Sequence, residues 1–163
     1  MNAEKMFTAV DQPQRTKLPH DAPDWVEARS VFFLTICARD RGKQTLTERN
    51  RAEKIIRAAR HYHEIEHWHL HLFLVMPDHL HMLLSFPEEQ TFRKLIFSWK
   101  SFTARTGGFL WQRDFFDHRL RSDESFEEKA TYIRMNPVRA GLVGQLGEWP
   151  HVWDPRASED QQS

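Results

Sequence analysis

Residues 68–86 read WHLHLFLVMPDHLHMLLSF, and this stretch decides the fold. Within residues 68–76 the side chains alternate between two faces, which is the period of a β-strand. One predicted face carries His69, His71, Phe73 and Val75, and the other carries Leu70, Leu72, Leu74 and Met76. Proline has no N–H for a strand ladder, so Pro77 and Asp78 break the pattern. The alternation resumes over residues 79–86, and the stretch therefore predicts two strands joined by a tight turn.

An earlier strand and a helix are predicted before this hairpin. Residues 30–38 (SVFFLTICA) are rich in β-branched and aromatic side chains, which favours a strand. Apolar residues then recur at spacings of three and four from Thr47 to about His67. This spacing predicts an amphipathic helix with Thr47 as its N-cap.

The chain after the hairpin predicts a helix, a strand and a second helix. Apolar residues at helical spacing begin at about Thr91, and the glycines at residues 107–108 favour the end of that helix. Residues 115–120 predict a short strand. A last helix is predicted from after Ser122, whose hydroxyl can cap it, to Asn136, because the residue before a proline avoids helical angles.

The order of these elements predicts an α+β fold of the ferredoxin-like βαββαβ type. A β-α-β crossover of this length returns a strand parallel to the first. We therefore expect a four-stranded antiparallel sheet with the third strand in the centre, two helices on one face and an additional C-terminal helix. Residues 1–29 are predicted as a partly flexible N-terminal arm, residues 30–153 as a single domain and residues 154–163 as a polar tail.

Composition limits the classes of function. The 163 residues have a formal net charge of zero, so the chain lacks the basic excess that nucleic-acid-binding proteins usually show. The single cysteine, Cys37, excludes an internal disulfide and a cysteine-based zinc site, and it suits a reducing compartment. The apolar runs are far shorter than the roughly 20 residues that cross a bilayer, and residues 1–30 do not resemble a signal peptide. We expect no membrane association and a cytoplasmic location.

His79 and His81 form the first candidate site. Because they flank one residue of a predicted strand, both imidazoles leave the same face of the sheet. Two imidazoles in this arrangement can share one metal ion and leave its other positions to oxygen ligands. Spacing alone also allows two half-exposed polar positions without a ligand, and His69 and His71 have the same spacing with nothing to mark them as a site.

Tyr132 and Asn136 form the second candidate site. They are four residues apart in the last predicted helix, so the phenol and the amide lie on one helical face and can address a common point. The alternative is structural, because an asparagine before a proline is a common helix end.

Three blocks of sequence, in order, resemble the REP-associated tyrosine transposases. They are residues 75–84 (VMPDHLHMLL), 111–119 (WQRDFFDHR) and 132–143 (YIRMNPVRAGLV), and a closing block follows at residues 148–150 (EWP). This family belongs to the single-tyrosine HUH transposase superfamily, which has an IS200-like transposase domain and is named for its histidine, hydrophobe, histidine motif. The resemblance spans residues 30–153, and Asp78 stands where many relatives carry asparagine.

The resemblance implies a role for each candidate residue. His79 and His81 match the family's paired metal ligands, Tyr132 matches its nucleophile, and Asn136 matches the polar residue that completes a Mg²⁺ or Mn²⁺ site. The implied activity is that of a single-stranded DNA endonuclease and strand transferase, which cleaves and rejoins DNA next to hairpin repeats through a 5′-phosphotyrosine intermediate. Such a protein is expected in the bacterial cytoplasm, associated with the nucleoid when it binds DNA.

Two other functions and two assemblies stay open. One is a domesticated protein of the same fold that binds hairpin DNA without cleaving it. The other is a metal hydrolase built on the histidines, although no carboxylate stands in an obvious position to act as its base. Relatives include monomers and dimers, so the sequence predicts neither a monomer nor a homodimer.

Residues 91–121 carry the local features that a DNA partner requires. Seven basic residues stand there against two acidic ones, and aromatic residues interleave with them. Basic side chains neutralise phosphates, and aromatic rings can stack on unpaired bases. The alternative is that the aromatic side chains belong to the core and the charges form a solvated helix face. The candidate DNA contacts, with one from the third block, are Lys94, Lys100, Trp111, Gln112, Arg113, Arg119 and Arg139.

Overall fold

The computed structural model describes residues 22–42 and 45–160, and these contain five strands, five α-helices and two short 3-10 helices. The strands are β1 (Phe32–Cys37), β2 (His69–Val75), β3 (His79–Ser85), β4 (Phe116–Arg119) and β5 (Val152–Trp153). The α-helices are α1 (Arg51–Glu64), α2 (Phe92–Gly107), α3 (Phe126–Arg134), α4 (Asn136–Arg139) and α5 (Pro155–Asp160). The 3-10 helices are Asp24–Ala28 and Glu89–Thr91. No helix in this part of the chain is long and apolar enough to span a membrane.

The five strands form one sheet in the order β4-β1-β3-β2-β5, with every neighbouring pair antiparallel. The predicted ferredoxin-like α+β class is confirmed, and β3 lies in the centre of the first four strands as expected. The fifth strand was not predicted from the sequence. It spans two residues and extends the sheet beyond β2.

One face of the sheet, here called the helix face, packs against α1 and α2. Its core is apolar and nearly closed to solvent, with fully buried side chains from the sheet, from both helices and from the loops. Trp68 lies at its centre, where the indole N–H donates to the carbonyl of Ala59 at 3.0 Å. Members of this core include Phe32, Leu34, Ile36, Ala52, Ile55, Ala59, Trp68, Leu70, Phe73, Val75, Leu80, Met82, Leu84, Ile96 and Trp99.

The opposite face, here called the α3 face, has a smaller core. Ala130 and Ile133 of α3 pack there on apolar side chains of the sheet, with Trp149 and Val152 at the margin. The strand residues of this core are Phe33, Leu72, Leu74 and Leu83, and Met76 joins them from the turn after β2. The predicted alternation along β3 holds, because Leu80, Met82 and Leu84 belong to the helix face and Leu83 to the α3 face.

The predicted alternation along β2 is wrong, because the strand contains a β-bulge. Leu70 pairs with Leu84, but Leu72 already pairs with Leu83, so His71 is an extra residue on this strand. Beyond the bulge the faces exchange, and Phe73 and Val75 join the helix face instead of sharing a face with the histidines. The buried His71 ring lies within 3.0 Å of the hydroxyl of Ser85, which satisfies one of its nitrogens.

Two helix starts differ from the predictions, while one helix end agrees. α1 begins at Arg51, since residues 46–49 form turns, and Thr47 is not its cap. α3 begins three residues later than expected, because the hydroxyl of Ser125, and not that of Ser122, accepts the N–H of Glu128. Gly108 ends α2 in the left-handed conformation, with φ of 69°, as the glycines predict.

Parts of both flanking segments pack on the domain. In the predicted N-terminal arm, Val26 is buried, so the arm is anchored at this residue. The predictions for residues 1–21 and 161–163 lie outside the described residues. The chain from residue 149 to 156, here called the C-terminal segment, returns to the sheet and to α3. The indole of Trp149 donates to the carbonyl of Val75 at 2.9 Å, and Asp154 accepts two hydrogen bonds from Arg134, at 2.6 and 3.0 Å. The start of the predicted tail is therefore a docked part of the fold.

Candidate active site

The two histidines of β3 lie together on the α3 face. His79 and His81 are separated by one residue of a regular strand, so their side chains leave the same side, and their ring centroids are 4.8 Å apart. His81 is buried and His79 is partly exposed at the end of the strand. The spacing that predicted a shared face is confirmed by this geometry.

Each imidazole is oriented by a neighbour through its Nδ1. The Nδ1–H of His79 donates to the Asp78 carboxylate at 2.7 Å, and Asp78 also accepts from the Arg41 guanidinium at 3.1 Å. The Nδ1 of His81 lies 2.9 Å from the hydroxyl of Thr35 on β1. When Nδ1 carries the proton, Nε2 keeps its lone pair, and this is the arrangement that orients metal-binding histidines in proteins.

The surroundings of these side chains favour a neutral His81 and a charged Asp78. Burial, together with His79 and Arg139, lowers the pKa of His81 to about 3. Its imidazole therefore has an available lone pair at neutral pH. Burial opposes ionisation of Asp78, but hydrogen bonds from His79 and Arg41 outweigh it and lower the pKa of this carboxyl below its ordinary value. The ionised carboxylate thus accepts the hydrogen bond from the Nδ1–H of His79.

Tyr132 is presented to solvent beside the histidines. It lies on α3, whose residues Ala130 and Ile133 hold the helix on the sheet, and it is 47 % exposed. Its ring lies 6.3 Å from the His81 ring and 6.3 Å from the ring of Phe33, in edge-to-face arrangements. Phe33 also stacks on His81 at 5.3 Å, so one apolar ring supports both functional groups.

Arg139 and Asn136 follow Tyr132 on nearly continuous helical backbone. Met135, between α3 and α4, has right-handed helical angles, so the four-residue spacing keeps Asn136 on the side of Tyr132. The guanidinium of Arg139 lies 4.3 Å from the centroid of the Tyr132 ring and donates to the Tyr132 carbonyl at 2.6 Å. These contacts place a cation directly over the phenol.

The donor set on this face fits a divalent ion only if an oxygen ligand joins the histidines. In the described part of the chain, no three His, Cys, Asp or Glu side chains form a group that could hold a metal. The half-buried Asn136 carries an amide oxygen, the kind of ligand that a hard divalent cation accepts. His79, His81 and Asn136 therefore remain the predicted ligands.

The structure contradicts two of the seven predicted DNA contacts, because it buries both side chains. Lys100 is buried, and its ammonium donates to the carbonyls of Gln112, Arg113 and Asp114. Trp111 is also buried in the helix-face core, where its indole N–H donates a hydrogen bond to the hydroxyl of Thr103.

The remaining predicted contacts are exposed, but they are spread over both sides of the sheet. Arg119 points to the helix face, since its guanidinium lies over the Phe32 ring and pairs with Glu89. Lys94 is on α2, which packs on that same face. Gln112 and Arg113 are exposed in the loop before β4. Of the seven predicted DNA contacts, Arg139 is the one that touches Tyr132.

The sequence did not point to three residues that shape the site. Thr35 and Phe33 reach it from β1, and their roles follow from the pairing of β1 with β3, which brings Thr35 opposite His81. Lys129 places its ammonium 5.3 Å from the centroid of the Phe33 ring. The sequence could have indicated Lys129, because it stands three residues before Tyr132 and residues at this spacing share a helix face.

Comparison with known proteins identifies the family. Residues 32–136 match the sequence model of the family described as transposase IS200 like. The chain belongs to the IS200-like transposase family. Within the family, it is 30 % identical over 129 residues to a REP-associated tyrosine transposase of Escherichia coli (strain K12), across 74 % of this chain and 73 % of that protein. The predicted resemblance to REP-associated tyrosine transposases is thereby confirmed.

The fold also matches a solved member. A REP-associated tyrosine transposase bound to a REP hairpin superposes with a TM-score of 0.64 and 23 % sequence identity, covering 82 % of each chain. At this identity the likeness establishes the fold, and the roles of individual residues are argued from their geometry.

Proposed function

We propose that the protein cleaves and rejoins single-stranded DNA beside a hairpin, with Tyr132 as the nucleophile. The observation that carries this proposal is the meeting of an exposed phenol, two oriented imidazoles and a guanidinium at one end of the α3 face. Family membership supports it, and the hairpin bound by the related solved structure suggests the class of substrate. The proposed location is the bacterial cytoplasm, where chromosomal DNA is the target.

The proposed reaction exchanges one phosphate ester bond for another, so the number of such bonds is unchanged. The phenolic oxygen of Tyr132 attacks the scissile phosphorus, and the bond from phosphorus to the 3′ oxygen breaks. The phenol loses its proton, and the departing 3′ oxygen takes up a proton to become a 3′-hydroxyl. The 5′-phosphotyrosine link can later be attacked by a 3′-hydroxyl, which restores the phenol and rejoins the strand. The exchange needs no nucleotide cofactor.

His79, His81 and Asn136 are proposed to hold Mg²⁺ or Mn²⁺. The contact with Asp78 leaves the Nε2 of His79 with its lone pair, and the neutral His81 keeps a lone pair on one ring nitrogen, so both imidazoles fit this role. A divalent ion held by these residues would supply Lewis-acid stabilisation of the charge that develops on phosphate oxygens. Mixed imidazole and amide ligation suits Mn²⁺ somewhat better than Mg²⁺.

Arg139 is proposed to position Tyr132 and the phosphate together. Its hydrogen bond to the Tyr132 carbonyl fixes the turn between α3 and α4, and its charge stands over the ring that attacks. A guanidinium is also a preferred partner of phosphate oxygens, because its planar N–H groups match their geometry.

Formation of a covalent adduct tests the nucleophile. A labelled hairpin oligonucleotide with single-stranded flanks, incubated with the protein and Mg²⁺ or Mn²⁺, should give a protein–DNA adduct that survives denaturing electrophoresis. Tyr132→Phe should abolish it. Tyr62→Phe is the matched control, because the only other tyrosine lies on α1, where its hydroxyl bonds with Ser98, and it should leave the adduct unchanged.

Two outcomes would change the proposal. An adduct of normal yield in Tyr132→Phe would exclude Tyr132 as the nucleophile. If the wild-type protein binds hairpins and gives no adduct with either metal, the protein is instead a hairpin-binding member of the family that does not cleave DNA.

A further inference from the structure

Phe116 is an exposed aromatic residue on the edge of the sheet. At 58 % it is the most exposed of the large apolar side chains in the described residues. It begins β4, which pairs with β1 on one side and ends the sheet on the other. A phenyl ring that is more than half exposed gains little from burial, so its position is suited to a partner outside the fold.

The ring lies on the same face as the candidate active site. Phe116 is opposite Thr35 in the pairing of β4 with β1, and Thr35 is the residue that bonds with His81. Residues directly opposite each other in a sheet project to the same face. By the same alternation Asp117 and Arg119 turn to the helix face, where they contact Arg93 and Phe32 respectively.

A single ring separates Phe116 from the proposed nucleophile. Phe33 contacts Phe116 at 6.2 Å on one side and Tyr132 at 6.3 Å on another, both edge-to-face. Phe33 is buried and stacks on His81, so it is fixed in place. The outer ring therefore has a defined position relative to the phenol.

Cations flank this aromatic row. The Lys129 ammonium lies 5.3 Å from the Phe33 centroid, and the Arg139 guanidinium lies 4.3 Å from that of Tyr132. An aromatic row that ends in an exposed ring and has cations at its other two rings matches a ligand that has a flat aromatic surface on an anionic backbone. Unpaired nucleotides have this chemistry, and proteins that hold single strands combine stacking rings with basic side chains.

We propose that Phe116 is a stacking platform for an unpaired base of the DNA strand whose phosphate is held at Tyr132. This inference rests on the proposed function and adds a substrate-binding residue to it. Stacking depends on the π-face that all bases share, so the platform holds the strand in place without selecting its sequence.

Binding measurements on a non-cleaving background test the platform. In the Tyr132→Phe protein, a pool of labelled hairpins with randomised single-stranded flanks is used to select the tightest ligand. Adding Phe116→Ala should then weaken binding of that ligand about tenfold, and Phe116→Trp should preserve it, because one stacked base contributes an effect of this order. Phe102→Ala is the matched control. This ring is 38 % exposed on α2, on the other side of the sheet, and its loss should leave affinity unchanged.

Abasic substitution separates stacking from a general structural effect. Removing the base that contacts Phe116 should weaken binding by the parental protein about as much as Phe116→Ala does, and the two changes together should add little more. The Phe116→Ala protein should also keep the unfolding midpoint of the parent.

The failures of the two proposals are distinguishable. If the parental protein binds no member of the pool, the proposed function and the platform both fall. If it binds and Phe116→Ala binds equally well, or if the loss is the same at every abasic position, only the platform is overturned.

Discussion

The two faces of the sheet differ in how completely helices cover them. On the helix face, two long helices cover an apolar core that is almost completely closed to water. On the α3 face, a helix of nine residues covers only part of the strands, and polar groups occupy the rest. The comparison teaches that incomplete coverage is what leaves His79 and Tyr132 accessible to a substrate. Substitutions on the two faces should therefore affect different properties.

The largest expected effect is a loss of stability on the helix face. Trp68→Ala removes a fully buried indole that packs on Tyr62, Phe86 and Trp99 and bonds with the Ala59 carbonyl. The free energy of unfolding should fall by about 3–5 kcal/mol. Tyr132→Phe, on the exposed part of the α3 face, should change it by less than about 0.5 kcal/mol. Urea denaturation measures both, and similar losses would contradict the division between the faces.

A comparison of two ion pairs should give the next largest effect. Asp154 is nearly buried and accepts two hydrogen bonds from Arg134 on α3, so Asp154→Asn should cost about 1.5–3 kcal/mol of unfolding free energy. Asp117 pairs with Arg93 at 3.3 Å in a more exposed position at the margin of the helix face, and Asp117→Asn should cost less than about 1 kcal/mol. Asp154→Asn should also slow adduct formation, because the pair holds the helix that carries Tyr132. Equal adduct rates would show that the C-terminal segment does not position the tyrosine.

A fall in pH should lower the free energy of unfolding through His71, a buried histidine of the α3 face. Burial, with contributions from His69, Arg156 and His63, lowers the pKa of His71 well below its ordinary value. Unfolded His71 takes up a proton near pH 6.5 and native His71 does not, so stability is lost as the pH falls below about 6.5. Each such group adds at most about 1.4 kcal/mol per pH unit. His71→Asn should reduce the slope of unfolding free energy against pH, and identical slopes would exclude His71 as a source.

The smallest expected effect concerns the helix starts of the two faces. Ser125 caps α3 with its hydroxyl, whereas Asn50 at the start of α1 makes no side-chain capping bond. Ser125→Ala should cost about 1 kcal/mol, and Asn50→Ala should cost much less. Thermal unfolding compares the two variants, and a larger loss for Asn50→Ala would reverse the expected order.

The sequence predicted the fold where local pattern was enough. Period two along β3, helical spacing in α1 and α2, and the glycine at 108 all agree with the structure. The bulge at His71 could not be predicted in this way, because it depends on which residue of β3 lies opposite. The fifth strand was missed for a similar reason, since two residues carry no readable period.

The candidate site was predictable in its motif but not in its surroundings. His79, His81 and Tyr132 were singled out from spacing and resemblance, and the structure brings them together, while their chemical roles stay predictions. Trp111 and Lys100 were assigned to DNA because composition does not distinguish an exposed aromatic or basic residue from a buried one. Thr35 and Phe33 were missed because a partner from another strand is known only once the register is known.

The C-terminal segment has a consequence for the order in which the protein is made. Trp149 reaches back to Val75, and Asp154 secures the helix of Tyr132. The chain emerges from the ribosome N-terminus first. All the buried members of the helix-face core lie at or before residue 111, and only the partly buried Phe115 and Trp153 come later, so most of that layer can close first. The tyrosine gains its final support only when residues 149–154 have emerged. We therefore expect the nascent chain to acquire a stable scaffold before it acquires a firmly placed Tyr132.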